Sequence, residues 1–390
     1  MTELQQLINE LCPNGVKFVA LEECCKILDN KRKPVTKAAR QAGEYPYYGA
    51  NGIQDYVSDY IFDGIFVLVG EDGSVVTPSG NPVVNWATGK IWVNNHAHII
   101  EEKDGVLLRY LYHYLQTVNV SALIHGNIPK LTGGDFRAIK VPVPPLPVQS
   151  EIVRILDNFT ELTAELTAEL TARKQQYAHY RDTLLKLDNN VPSYTLKDIC
   201  LSIADGDHMP PPKADSGVPF ITISNITETR QIDFSNVMYV PREYYDKLAD
   251  KRKAKRDDIL YTVVGSFGIP VHISNKTEFV FQRHIAILRP NQEMIVPRYM
   301  YHIMQSTKFY KQADKAAKGA AQRTIGLSSL GNMTIPLPSI EEQKRIVAIL
   351  DRFDTLCNDI SAGLPAEIEA RQKQYEYYRD KLLTFKALST

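Results

Sequence analysis

The chain is written twice, and that duplication constrains its fold more than any other feature. Residues 141–159 read VPVPPLPVQSEIVRILDNF, and residues 335–353 read IPLPSIEEQKRIVAILDRF. Farther on, ARKQQYAHYRDTLL (172–185) matches ARQKQYEYYRDKLL (370–383). The first pair is offset by 194 residues and the second by 198, so the second copy carries four more residues in its middle. Fainter matches precede each pair in the same order: LEECC (21–25) with LKDIC (196–200), VGEDGS (69–74) with VGSFGI (264–269), NNHAHII with QRHIAIL around His96 and His284, and RYLYHYLQ (109–116) with RYMYHIMQ (298–305). Chance similarity does not stay collinear over nearly a whole chain. The sequence therefore encodes two copies of one unit, each a globular head followed by a long helix.

Both heads alternate short apolar runs with Gly, Asn and Asp punctuation. IFVLVG (65–70), VVNWA (83–87), KIWVN (90–94), FITIS (220–224), ILYTVV (259–264) and AILRP (286–290) read as strands. RYLYHYLQ and RYMYHIMQ have helical spacing, so each head is α/β. After the proline stop at 141–147, apolar residues at Ile152, Ile155, Leu156, Phe159, Leu162, Leu166, Leu170, Tyr177, Tyr180 and Leu184 fall three and four apart on one face. The second copy repeats the stripe with Ile346, Ile349, Leu350, Phe353, Ile360, Ile368, Tyr378 and Leu382, interrupted by Gly363 and Pro365. A helix on the order of 57 Å long needs a partner along its apolar face, and the other copy supplies one.

These readings combine into an α+β chain. Two pseudo-two-fold-related α/β domains are separated by two long antiparallel helices in a coiled coil. The expected boundaries are 1–147 for the first head, 148–188 for the central helix, 189–339 for the second head and 340–390 for the C-terminal helix. The N-terminal LQQLINELCPNGV resembles the end of a repeat, LLKLDNNVPSY, moved to the front by circular permutation.

Composition narrows the function. Lys plus Arg and Asp plus Glu both total 45, which argues against a wholly basic coat or an acidic tail. Split by region, residues 191–334 carry 19 basic and 14 acidic groups, whereas 16–140 carry 13 of each. A basic second head and a basic run in the first (Lys31, Arg32, Lys33, Lys37, Arg40) are set against an acidic helical portion. Two unlike heads at fixed separation suit two unlike half-sites on DNA. Five scattered cysteines with no C-x-x-C pair suit a reducing cytoplasm. No apolar run of membrane-spanning length and no signal peptide is seen in the sequence.

The paired helical segments, together with SAGLPAEIEARQ, GEYPYYGANGIQDYV, DGDHMPPP and FITISNI, are similar to the specificity subunit (HsdS) of Type I restriction–modification enzymes. The tandem TAEL units, Thr163–Leu166 and Thr167–Leu170, resemble the IC subgroup. The resemblance covers the whole chain. It implies a non-catalytic, sequence-specific DNA-binding subunit whose heads each read half of a split, asymmetric target. The helices would set the unread spacer and dock two methyltransferase subunits, and two motor–nuclease subunits would complete the restriction complex. It places S-adenosylmethionine on the methylase partner and ATP with magnesium on the motor–nuclease, leaving this chain without a cofactor.

A stand-alone DNA methyltransferase or a non-DNA coiled-coil scaffold are the alternatives. The first lacks an N-P-P-[YF] motif and a glycine loop opening a helix; no G-x-x-x-x-G-K-[ST] occurs either. The histidines lack metal spacing, so no metal site is expected. The second leaves two elaborate heads unexplained. Side chains able to read base edges or hold phosphates are Tyr47, Tyr48, Asn51, Lys90, Asn95, His96, Asn127 and Lys130 in the first head. In the second they are His208, Ser224, Asn225, Arg283, His284, Lys315, Lys318, Gln322 and Arg323. Tyr177, Tyr180, Tyr375, Tyr377 and Tyr378 on the helices suit either core packing or methylase docking.

Overall fold

The computed structural model describes residues 3–73, 75–187, 190–207, 210–320, 322–359 and 361–388. The chain divides into two compact units, 1–164 with 370–390, and 165–369. Each unit holds one head, part of the central helix and part of the C-terminal helical segment.

In the first unit a six-stranded sheet has the order Lys26–Ile27, Ala97–Glu101, Phe62–Gly70, Val84–Val93, Ala42–Gly49, Gly52–Val57. Neighbours are antiparallel except Ala42–Gly49, which runs parallel to Val84–Val93. The apolar runs VVNWA and KIWVN, expected as two strands, form one. Gly89 stands directly opposite Gly64 in the ladder, and with no side chain on either, pairing continues through a point that reads as a break. A separate pair, Lys17–Ala20 with Lys140–Val143, ties the start of the head to its end. Helix Leu108–Leu115 buries Leu108, Leu111 and Leu115 with Val67, Val69 and Ile100 of the sheet.

Val148, Ile152 and Leu156 of the central helix join this core, as do Tyr375 and Leu383 from the far end of the chain. Each such aliphatic side chain contributes roughly 1.5–3 kcal/mol when fully buried. The two chain ends also meet here: Leu388 N–H donates to Val16 O at 2.9 Å and Val16 N–H to Lys386 O at 2.9 Å. Gly15, at φ +102°, lets the backbones approach, since a Cβ would lie 2.6 Å from Lys386 O. That junction joins the segment before the first head to the stretch that follows helix Leu364–Leu382.

The second unit carries a four-stranded sheet, Cys200–Asp205, Ile285–Pro290, Ile259–Thr262, Pro270–His272, and a three-stranded one, Met238–Val240, Val218–Ile221, Val280–Phe281. FITIS is a strand only as far as Ile221; Ile223–Asn225 turns as a 3₁₀ helix, because Thr222 and Asn225 form a reciprocal cap. Ser193–Thr195 pairs with Thr334–Pro336, closing this head as the matching pair closes the first. Helix Pro297–Met304 takes the place of Leu108–Leu115.

The central helix runs unbroken from Leu146 to Leu184, 39 residues. The C-terminal segment is two helices, Ile340–Asn358 and Leu364–Leu382, separated at the Gly363–Pro365 position as the sequence predicts. A Cβ at Gly363 would fall 2.5 Å from Thr355 O, so the close turn requires glycine. Ile360 of the expected stripe lies outside the described residues. Within the second unit the helical pieces are antiparallel: Phe353 stacks on Tyr177 and Tyr180, and Cys357, one turn later, lies near Lys174 and Arg173. Among the described residues no helix is long and apolar enough to cross a membrane.

Candidate nucleic-acid interface

In the first head, the Gly70–Gly73 loop is the hub. Glu71 N–H donates to His96 O at 2.8 Å, Leu131 N–H to Glu71 O at 2.8 Å, and Gly73 N–H to Pro129 O at 3.0 Å. The loop thus draws the His96 and Lys130 segments together. Asn51, at the tip of the hairpin 42–57, completes the group. Asn51, His96 and Lys130 line one cleft of about 520 Å³ with Ala50, Gln54, Asp72, Gly73 and Ile128. His96 Nδ1 bonds Asp72, and Lys130 Nζ lies 3.1 Å from Glu71.

The other first-head candidates lie elsewhere. Lys90 is exposed, its ammonium 4.7 Å above the Tyr60 ring and 5.9 Å from Tyr45; those hydroxyls raise its pKa. Asn95 and Asn127 are exposed. Tyr47 and Tyr48 are buried, contrary to a role in direct contact. Tyr47 is 1% exposed, its hydroxyl donating to Val35 O at 3.2 Å and accepting from Val35 N–H at 3.0 Å, with Arg40 stacked 4.1 Å above its ring. It braces the basic 31–40 segment instead. Burial raises the Tyr48 phenol's pKa, and its carbonyl receives Asn94 N–H at 3.1 Å.

The second head repeats the plan with different residues. Val263 N–H donates to His284 O at 2.8 Å, Ile325 N–H to Val263 O at 2.8 Å, and Gly265 N–H to Arg323 O at 3.0 Å. The VGSFG loop thereby gathers His284 and the 318–324 turn, which carries Lys318, Gln322 and Arg323. Burial, then Arg283, lowers the His284 pKa. Arg323 donates to Asp314 at 2.7 Å and stacks 5.1 Å from Phe267. Ser224, Arg283 and Lys315 are exposed. Asn225 is 8% exposed and spent on its own fold: Oδ1 accepts from Thr222 N and Oγ1, and Nδ2 donates to Asp233 O and Asn236 O. Like Tyr47, it shapes its loop from inside. His208 lies outside the described residues.

Asp29, Glu71 and His98 bring three ligand-type atoms within 4.8 Å of one another. Their partners argue for an ion-pair network rather than a metal centre. Arg32 lies 2.6 Å from Glu71 and 3.7 Å from Asp29, Lys130 3.1 Å from Glu71, and Arg137 3.9 Å from Asp29. Both His98 nitrogens face oxygens, Asp29 at 2.7 Å and Leu131 O at 3.0 Å. Burial alone would raise the Asp29 pKa, but His98, Ile99 N–H and Arg32 together hold it below the usual carboxylate range.

Each head is clamped to helices by the same four side chains. In the first unit Asp157 accepts from Arg109 at 2.8 Å and from His113 Nε2 at 2.8 Å, while Tyr375 bonds His113 Nδ1 at 3.0 Å. In the second, Asp351 accepts from Arg298 and from His302 Nε2 at 2.6 Å, and Tyr177 bonds His302 Nδ1 at 2.8 Å. Burial lowers the pKa of both histidines. A neutral ring that donates from Nε2 must accept at Nδ1, so each tyrosine hydroxyl is the donor. A buried glutamine repeats too. Gln149 accepts from Leu107 N–H and donates to Gly105 O and Pro144 O; Gln343 accepts from Val296 N–H and donates to Met294 O and Pro338 O.

The described type I restriction modification DNA specificity domain matches residues 13–173 and again 189–370. The chain belongs to that family. A putative type I restriction enzyme specificity subunit of Haemophilus influenzae is 38% identical over 386 residues, covering 95% of this chain and 96% of that one. The EcoR124I/EcoR124II specificity subunit of Escherichia coli is 37% identical over 307 residues, with 73% and 72% covered. The fold resembles the crystal structure of a Type I restriction–modification S subunit from M. genitalium: TM-score 0.58, 14% identity, 95% and 96% covered. This chain is thus a DNA-specificity subunit, a reader and not a catalyst.

For a specificity subunit, the tyrosines divide by task. Tyr177 and Tyr375 are buried in the clamps, whereas Tyr180, Tyr377 and Tyr378 are exposed, with Tyr378 stacked on Phe159 and Tyr180 on Phe353. The clamp residues and glutamines were visible as identities inside the copied segments, where Gln149 matches Gln343, Asp157 matches Asp351 and His113 matches His302. Gln54, Asp72 and Asn94 carried no comparable signal, because none is an identity between the copies and the sheet is what brings the hairpin bearing Gln54 beside Asn94.

Proposed function

We propose that this specificity subunit reads a split, asymmetric duplex target, one half-site per head, on behalf of two methyltransferase subunits that dock on its helices. Two motor–nuclease subunits would complete the restricting assembly, which we place in the cytoplasm. S-adenosylmethionine would bind the methylase and ATP with magnesium the motor subunit, with no cofactor in this chain. The functional boundaries we propose are 1–147 and 189–339 for the two readers, with 148–188 and 340–390 as spacer and docking helices, the latter two paired antiparallel. One observation carries the reading. Two unlike heads build the same hub, a glycine-bearing loop hydrogen-bonded to a histidine segment and to a basic turn, and fill it with different polar residues.

The DNA-facing set is then Asn51, Lys90, Asn95, His96, Asn127 and Lys130 in the first head. In the second it is Ser224, Arg283, His284, Lys315, Lys318, Gln322 and Arg323, with His208 added from sequence alone. Tyr47, Tyr48 and Asn225 support these loops from within. The test is reconstitution with cognate methylase subunits and sequencing of the methylated motif. A bipartite motif methylated only in the complex is expected. Methyl transfer by this chain alone, or a contiguous motif, would refute the proposal.

A further inference from the structure

The first-head cleft contains a fixed pattern of hydrogen-bonding groups. Asn94 is 2% exposed and acts as a two-way bracket beneath it. Its Oδ1 accepts from His96 N–H at 2.8 Å, and its Nδ2 donates to Gln54 Oε1 at 3.3 Å. The Gln54 amide lies over Gly49, where a Cβ would approach Nε2 to 2.1 Å, so the glycine leaves room for the amide in this position. Asp72 takes His96 Nδ1, which sets the ring. Gln54 Oε1 therefore accepts from Asn94, and among the described residues no protein group takes its Nε2 hydrogens. Lys130, half-exposed and anchored on Glu71, adds further N–H donors on the same cleft.

We infer that Gln54 is a specificity-determining residue of the first head, that Asn94 and Asp72 are positioning residues for it and for His96, and that the base read there is guanine. The inference rests on the DNA-reading function proposed above. In the major groove guanine offers two acceptors, N7 and O6, whereas adenine offers one acceptor and one donor. A glutamine reads adenine by using both ends of its amide. Here Asn94 occupies one acceptor site of the oxygen, so Gln54 brings its Nε2 donors to the cleft beside the Lys130 ammonium, and acceptor-rich guanine is the edge that this pair complements.

The experiment uses the reconstituted methylase complex, with Gln54→Ala, Gln54→Glu and, as a reference, the whole first head exchanged for that of a relative. Gln54 is exposed, so neither substitution disturbs the core. Gln54→Ala should relax one guanine position of one half-site, with discrimination falling by about ten- to a hundredfold, and leave the other half-site unchanged. Gln54→Glu, which places acceptors against acceptors, should depress methylation at the original motif by at least as much. Asp72→Asn should weaken recognition of a base adjoining that position. The inference is overturned if both Gln54 variants keep the original motif and rate while the exchanged head changes one half-site, or if the relaxed position is not guanine. An exchanged head that leaves the motif intact would instead overturn the DNA-reading function of this head.

Discussion

Removing a single oxygen atom by Tyr177→Phe isolates the clamp of the second unit. The Tyr177 hydroxyl is buried and donates to His302 Nδ1 at 2.8 Å; the ring also stacks on Phe353 at 6.3 Å, a contact phenylalanine keeps. The substitution thus deletes that hydrogen bond, together with a longer contact to Gln305 Oε1 at 3.5 Å, and leaves the buried His302 acceptor unpaired. A neutral hydrogen bond contributes about 0.5–1.5 kcal/mol, and an orphaned buried partner costs about 1–3 kcal/mol, so a loss of about 1–2 kcal/mol is expected. For a unit the size of residues 165–369, each kcal/mol corresponds to about 2–4 °C in melting temperature, giving a fall of about 2–8 °C in the transition of that unit. Because the chain has two units, a single global midpoint is a poor readout. Amide exchange in helix Pro297–Met304 reports the clamp directly, and should accelerate while helix Leu108–Leu115 stays unchanged. Tyr180→Phe, altering an exposed hydroxyl, is the control and should shift stability by less than about 0.5 kcal/mol. If Tyr177→Phe matches that control, or if protection is lost equally in both helices, the clamp reasoning fails.

Stability should fall as pH drops below about 6.5. Burial lowers the folded-state pKa of His113 and His302, so the unfolded chain binds protons that the fold refuses. His113→Gln with His302→Gln should flatten that slope in urea titrations at pH 5 to 7; an unchanged slope would assign it elsewhere. Deleting Thr163–Leu166 removes about 6 Å of helix, against about 3.4 Å per base pair. The unread spacer should shorten by roughly one to two base pairs with both half-sites preserved, and an unaltered spacer in the methylome would sink the ruler idea. Grafting residues 191–334 from a relative should change one half-site only; a change in both would contradict independent heads. Lys130→Gln should weaken binding of the assembled complex and lower its salt slope by about one if Lys130 contacts phosphate, measured by DNA titration at several salt concentrations.

The duplication, the two heads, the long central helix and the interruption near Gly363 are all legible in the amino-acid order alone. These are local or repeated signals: apolar spacing of three and four, a glycine and a proline, and copied segments 194 residues apart. Even the clamp residues were present as matched identities. Their roles were not legible, because a histidine's partner is set by which helix packs against it. RYLYHYLQ and RYMYHIMQ read equally well as ordinary amphipathic helices. Burial inside the heads was equally invisible. Tyr47 and Asn225 look like contact residues by type, yet loop closure turns their polar atoms toward Val35, Thr222, Asp233 and Asn236. Only the tertiary structure could gather Gln54, Asp72, Asn94 and His96, since strand pairing, not sequence proximity, brings the hairpin 42–57 beside the end of Val84–Val93. Local patterns specify elements because their energies are local. A site assembled across a sheet exists only once long-range pairing has fixed which polar groups face each other and which face the solvent.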